Sequence, residues 1–270
     1  MPHLRSARSM AGAAALVIAA ASLAACDVAV NTLHGGQARA EQLWTRTYTL
    51  AGAESSVDIV NVNGAITVEA VDGNTLDIKA QITVRGVTEE AAQEALKQVE
   101  MVEEASSGRV RVEARLPKEL RRRGVEIIYT VRAPRTARVN VETVNGQVTM
   151  TGVLGGVKAE TTNGSVVGKG LGNAVIAGTT NGEIKIQMAA LGGDGISLET
   201  TNGTIELKLP EDAKATVSAR CVNGGISVSD LAFEKVGEGT RRKLDGKING
   251  GGSAVRLETV NGSIRVGRVT

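Results

Sequence analysis

Histidine, cysteine and recurrent glutamate are the residue types in this 270-residue chain that could support chemistry. Acid–base work near neutral pH falls first to histidine, yet His3 and His34 both precede the repetitive body of the chain. Cys221 stands in a C-V-N-G unit at the place that threonine holds in neighbouring units, so it reads as a small buried side chain rather than a nucleophile. Glu142, Glu160 and Glu199 recur at one place of the repeat, with Glu258 further along. Such a row on an outer face is what Ca²⁺ binding or glycoside chemistry requires. Gly178 and Arg220 interrupt it, and Lys158, Lys185, Arg256 and Arg265 share the same outer surface, which makes it a solvated face of mixed charge. Trp44, Tyr48, Tyr129 and Phe233 are scattered and form no platform for a sugar ring. No catalytic, cofactor-binding or metal-ligating set is expected, and the chain reads as a non-enzyme.

The other cysteine has a different chemistry. Arg5 and Arg8 precede an Ala-rich apolar run, and the segment closes in L-A-A-C at Cys26. The run is too short for a transmembrane helix, which needs about 20 residues, and it has the form of an export signal. Its ending resembles the lipobox of bacterial lipoproteins, which implies cleavage before Cys26 and a diacylglycerol on its sulfur. The expected organisation is a signal peptide over 1–25 and a flexible tether over 26–42. An N-terminal strand and helix part over 43–138 and solenoid repeats over 139–270 would follow. Without Arg5 and Arg8 the 31 basic residues fall to 29, matching 29 acidic ones, so no nucleic-acid partner is expected. The basic clusters at 121–123 and 241–243 read as solubilising loops.

A repeat dominates the rest. V-N-G, T-V-N-G, T-T-N-G or C-V-N-G units place Asn63, Asn145, Asn163, Asn181, Asn202, Asn223 and Asn261 in one series. From Asn145 the spacings are 18, 18, 21, 21 and then 38 residues, the last being one unit plus an inserted loop over 231–252. Side chains along a strand alternate faces. Six, four and two places before each Asn stand aliphatic residues and Thr, as in Ile196, Leu198 and Thr200, and three and five places after it stand pairs such as Ile205 and Leu207. These point inward, and the charged residues between them face water. Asn249-Gly250 fails this test, because Lys243, Asp245 and Lys247 would take the inward places.

The pattern predicts an all-β chain, a parallel β-solenoid of about 18–21 residues per coil with one amphipathic helix inserted near its start. An antiparallel meander with Asn-Gly hairpins is the competing fold. Place-by-place identity of the units favours the solenoid, where like residues stack in ladders. Strands are expected over 56–61, 65–70, 75–84, 109–116 and 125–132, and the helix over 88–104, with Thr88 as N-cap and Ala92, Leu96, Val99 and Val102 as its apolar stripe.

N-V-N-G-A-I-T-V at 61–68, the Glu-rich helix, V-R-A-P-R-T-A-R-V-N-V-E-T-V-N-G at 131–146 and the serial E-T-T-N-G coils are the carriers of a family likeness. They resemble the "putative adhesin" family of bacterial β-solenoid domains of unknown function. The resemblance implies an exported or membrane-tethered protein without transferable catalytic residues, some relatives standing beside envelope-stress regulators. The expected role is structural or adhesin-like binding in the cell envelope, facing the periplasm or cell exterior. An accessory or sensor role in envelope-stress signalling is the alternative, with a polysaccharide-active enzyme a distant third. The expected partners are the membrane, through the lipid on Cys26, and an envelope protein or the cell wall. The last coil ends at Val269 and Thr270 with no cap after it, which predicts cover by the insertion, by a partner or by a second copy.

Overall fold

A computed structural model describes residues 28–32, 38–51, 55–120 and 124–269. The N-terminal half contributes β1 (Val28–Thr32), β2 (Ala38–Thr49), β3 (Ser56–Val60), β4 (Ile66–Val71) and β5 (Thr75–Gly86). Then come α1 (Glu89–Leu96), β6 (Glu100–Ala105), β7 (Arg109–Arg115) and β8 (Val125–Pro134). The repeats supply β9 (Arg138–Asn145), β10 (Val148–Thr151), β11 (Val157–Asn163), β12 (Val166–Leu171), β13 (Val175–Asn181), β14 (Ile184–Met188), β15 (Ile196–Asn202) and β16 (Ile205–Leu209). The chain ends with β17 (Ala215–Asn223), β18 (Ile226–Val228), β19 (Phe233–Lys235), β20 (Lys243–Ile248), β21 (Ser253–Asn261) and β22 (Ile264–Arg268).

Each coil runs up one strand, turns at Asn-Gly and returns on a second strand, so the chain builds two 11-stranded sheets with the core between them. One sheet has the order β1-β2-β5-β8-β4-β10-β12-β14-β16-β22-β18, the other β19-β20-β17-β21-β15-β13-β11-β9-β3-β7-β6. The repeats pair parallel and in register, Val157 on Val139 and Val175, Asn163 on Asn145 and Asn181. This is the solenoid expected from the repeat, not the meander. The inward places are buried as the alternation requires, from Val139 through Val266. Ile226 and Val228 stay half-buried because β18 has no strand on its far side. The stack also runs on through the boundary placed between 138 and 139, since Val57 and Ile59 lie beside Val139 and Val141.

Four expectations need correction. The helix stops at Leu96, and Glu100–Ala105 is a strand antiparallel to β7. Thr88 does cap it, its hydroxyl accepting from Ala91 N, and Ala92 and Leu96 are buried. Val99 lies in the turn and Val102 in β6, because an apolar residue every third or fourth place did not exclude a strand beginning at residue 100. The tether expected over 26–42 overlaps β2, whose Ala38 to Thr49 pair antiparallel with Gly86 to Thr75, and β1 pairs with β2 in turn. The insertion at 231–252 is a hairpin, β19–β20, laid antiparallel along β17. Most consequential is the layer order. The C-terminal coil, β21–β22, is not the end of the stack; it lies between the Asn202 coil and the Asn223 coil.

The cap therefore covers the Asn223 coil instead. Ile248 is buried, Leu231, Phe233 and Leu244 pack on the core, and Arg241 and Arg242 carbonyls accept from Ile226 N and Cys221 N. At the other end β6 pairs antiparallel with β7, and β5, β2 and β1 extend the first sheet from β8 by successive antiparallel pairings.

Candidate functional site

The repeat concentrates identical groups along columns spaced by one strand separation, about 4.8 Å. Along the corner, the side-chain amides of the seven repeat asparagines form one chain of hydrogen bonds. Asn223 donates to Asn261 (2.8 Å), Asn261 to Asn202 (2.7 Å), Asn202 to Asn181 (2.8 Å) and Asn181 to Asn163 (2.9 Å). Asn163 donates to Asn145 and Asn145 to Asn63, each at 2.8 Å, and Asn63 ends the run on the Val125 carbonyl at 3.3 Å. Every amide points the same way, so each from Asn261 to Asn145 is donor to the layer below and acceptor from the layer above.

The inward threonines complete the corner. Thr161, Thr179, Thr200 and Thr259 hydroxyls donate to the carbonyls of Gly146, Gly164, Gly182 and Gly203 at 2.9–3.1 Å. Thr143 breaks the pattern: its buried hydroxyl has no partner, and the corresponding carbonyl, that of Gly64, accepts from Asn61 Nδ2 at 3.1 Å. Cys221 holds the same inward place in the outermost coil and is buried. The glycine after each Asn is needed mainly for backbone approach. A Cβ on Gly203 would lie 1.8 Å from the Gly182 carbonyl oxygen, and at Gly64 a φ of +118° adds a conformational demand.

Outside the corner, the solvent face of the second sheet carries two further columns. One place before the asparagines stand Val144, Thr162, Thr180, Thr201, Val260 and Val222 in spatial order, all exposed. Three places before them stand Glu142, Glu160, Gly178, Glu199, Glu258 and Arg220. Layer order thus puts Glu258 directly beside Glu199 and moves Arg220 to the end, closing a gap that the linear sequence shows. Gly178 leaves a shallow depression between Glu160 and Glu199, walled by Thr162, Thr180 and Thr201. Lysine and arginine neutralise part of the row, Lys158 to Glu160 at 3.0 Å and Arg256 to Glu258 at 2.9 Å. Such exposed pairs hold on the order of 0–1 kcal/mol each. The most buried carboxylate, Asp58, is satisfied by Arg109 Nε at 2.7 Å and by Asn140 Nδ2.

A second cluster was missed in the sequence. Trp44, Arg46 and Tyr48 alternate along β2 and therefore share a face. The Arg46 guanidinium lies 4.9 Å from the Trp44 ring centre, Arg46 Nε donates to both Glu103 oxygens at 3.1 Å, and Tyr48 Oη donates to the same carboxylate. Burial, then the Glu103 hydrogen bond and charge, push the Tyr48 phenol well above its ordinary range, so it stays a donor. Spacing of two between Trp44, Arg46 and Tyr48 is the signal the sequence offers, but Glu103 belongs to a strand, β6, that falls within the range expected for the helix. The network ties the first sheet to the second at the N-terminal end.

His3, Cys26, His34 and the 121–123 cluster lie outside the described residues. The 241–243 cluster lies on the capping hairpin, where Lys243 and Arg220 approach Asp245 at 3.7 and 3.9 Å. Among the described residues, no three of His, Cys, Asp and Glu gather as metal ligands do, and no helix is long and apolar enough to cross a membrane.

Several solved structures are similar at low identity. A "putative cell adhesion protein" from Clostridium sporogenes is 12% identical, with 84% of this chain and 100% of that one covered and a TM-score of 0.49. A "putative adhesin" from Bacteroides fragilis is 11% identical, with 84% and 97% covered and a TM-score of 0.44. A "putative lipid binding protein" from Parabacteroides distasonis is 10% identical, with 84% and 97% covered and a TM-score of 0.28. No curated protein matches. The family model described as Toastrack DUF4097 matches residues 66–267, from β4 into β22, and the chain belongs to that family.

Proposed function

We propose that this protein is exported, held to a membrane by a lipid on Cys26, and serves as a rigid non-enzymatic binding module of the cell envelope with an adhesin-like role. The observation that carries this reading is the continuous solvent face of the second sheet, where Thr162, Thr180 and Thr201 stand in register beside the Asn and Glu columns. Backbone hydrogen bonds and the Asn chain hold these groups at a fixed period, so a partner with its own repeat meets many weak contacts at once. A repetitive polymer of the wall, or an extended surface of another envelope protein, has that property. Depth is lacking for catalysis: the depression at Gly178 is shallow, and its carboxylates stand in line rather than converging.

The test is a pull-down from isolated envelopes with the lipidated full chain. Wild type is compared with a variant carrying Thr162→Lys, Thr180→Lys and Thr201→Lys, whose outward side chains do not enter the core. Loss of the captured wall polymer or envelope protein in the variant supports the reading; equal capture by both refutes this face as the binding surface. Recovery of a sigma-factor regulator or sensor kinase as the dominant partner would assign the module to envelope-stress signalling. For the anchor, fatty-acid labelling should be abolished by Cys26→Ala, and a labelled variant would disprove the lipid site.

A further inference from the structure

The coil β21–β22 follows β17–β18 in sequence yet occupies an interior layer. β21 pairs with β15 on one side and with β17 on the other, and β22 likewise lies between β16 and β18. The chain leaves β16, passes over an empty layer to form β17 and β18, folds the capping hairpin, and then returns to fill the layer it passed.

The two walls of that slot match each other. Val255 faces Ile196 and Val217, Leu257 faces Leu198 and Ala219, Thr259 faces Thr200 and Cys221, and Asn261 faces Asn202 and Asn223. In the other sheet Ile264 faces Ile205 and Ile226, and Val266 faces Leu207 and Val228. Removal of the layer would bring aliphatic onto aliphatic and Asn223 onto Asn202 with no change of register. The connection between β16 and β17, residues 210–214, has five residues and climbs two layers. Residues 152–156, also five, climb one between β10 and β11. Five residues reach about 17 Å when extended, so the same connection serves the open slot and the closed one.

The segment also has a hinge and a latch. Asn249, Gly250 and Gly251 have φ of +49°, +83° and +93°, three consecutive left-handed residues ahead of β21. The Asn249 amide donates to the carbonyls of Glu211 and Ala213 at 2.8 and 2.9 Å, and Arg268 pairs with Glu211 at 3.2 Å. Both contacts fasten the ends of the inserted coil to the connection that spans the slot.

We infer that the slot between β15–β16 and β17–β18 is an exchange site whose partner is a second copy of this chain, each copy able to place residues 253–269 in the other. The slot closes in register when its segment leaves, which lowers the cost of release. The freed segment carries the full inward pattern of a coil and fits only a site with this register, which another copy offers. A reciprocal dimer results, with every ladder of the monomer restored.

Two disulfide experiments on the full chain test this, in a Cys221→Ser background. Slot closure is read from Ser197→Cys with Ser218→Cys. These positions flank Arg256 in the register and are two layers apart, about 9.6 Å, whereas a disulfide needs a Cα separation of roughly 4.4–6.8 Å. Under mild denaturant the intramolecular bond should form. Its absence where the adjacent pair Ser197→Cys with Arg256→Cys oxidises fully would overturn closure. Exchange is read by mixing a Ser197→Cys chain with an Arg256→Cys chain, incubating in mild denaturant and oxidising after its removal. A 197–256 heterodimer several-fold above a Ser197→Cys and Arg265→Cys control mix is expected, since residue 265 lies in the other sheet. Equal yields mean random collision and overturn the exchange site.

Discussion

Asn261 donates its side-chain amide to Asn202 at 2.7 Å, and 59 residues separate them, while Asn223, nearer to both in sequence, sits one layer further out. The corner chain is therefore continuous in space and out of order in sequence. Its stability rests on each amide being donor and acceptor together, which a substitution can test.

Asn181→Asp should weaken the chain at one link only. A carboxylate there still accepts from Asn202 but faces Asn163 Oδ1 with no proton to donate. The expected cost at neutral pH is about 1 kcal/mol. The carboxyl pKa is raised in the folded state, because only the neutral acid can donate. The folded form then binds more protons than the unfolded one, so the deficit shrinks as pH falls through the raised value and disappears below the ordinary value near about 4. Urea melts of variant and wild type between neutral and acid pH measure the difference, and a deficit independent of pH would be the contrary result.

Gly182→Ala should be far more damaging than Gly225→Ala. A Cβ on Gly182 would stand 1.9 Å from the Gly164 carbonyl oxygen, with layers above and below holding it in place, whereas nothing lies within 4 Å of one on Gly225. Overpacking against backbone cannot be relieved by a rotamer change, so a loss of about 3 kcal/mol or more is expected for the first. Thermal unfolding of the two variants checks the contrast.

Cys221→Thr should stabilise the outer coil. Thr259 in the adjacent layer donates to Gly203 O at 3.0 Å, and the same rotamer one layer out reaches Gly262 O. Gain of one buried hydroxyl hydrogen bond contributes about 0.5–1.5 kcal/mol. A melting midpoint unchanged or lowered would show that the outermost corner differs from those beneath it.

The capping hairpin should loosen in acid. Asp245 accepts from Ser218 Oγ at 2.7 Å, and that hydrogen bond first, then Lys243 and Arg220, hold its carboxyl below the ordinary carboxylate range. The folded form of a depressed acid binds fewer protons than the unfolded form, so its stabilisation is complete above the ordinary value and is lost as pH falls through the depressed one. Hydrogen exchange over 233–248 should rise relative to β13 below about pH 4. Ser218→Ala should narrow that pH dependence.

Much of this architecture is legible in the amino-acid sequence. The period of two around each Asn named the inward residues Val139 through Val266, and all but Ile226 and Val228 are buried. Asn249-Gly250 stands outside the series, since Asn249 turns the chain and bonds to Glu211 and Ala213 rather than joining the corner chain. The helix end and β2 were not readable, because Val99 and Val102 suit either period and β2 is defined by a partner, β5, more than 25 residues away at its nearest pair. The cluster of Trp44, Arg46, Tyr48 and Glu103 stayed hidden with them.

What the amino-acid sequence determined alone is the register within every coil, because alternation is a local property of an extended chain and repeats at each Asn-Gly. Layer order was decided only by the tertiary structure. Coils with the same inward pattern are interchangeable neighbours, so nothing local says whether Asn223 or Asn261 rests on Asn202. That choice was made by the hairpin at 231–252, which lies along β17 at the outer edge of its sheet and leaves β21 the layer beneath.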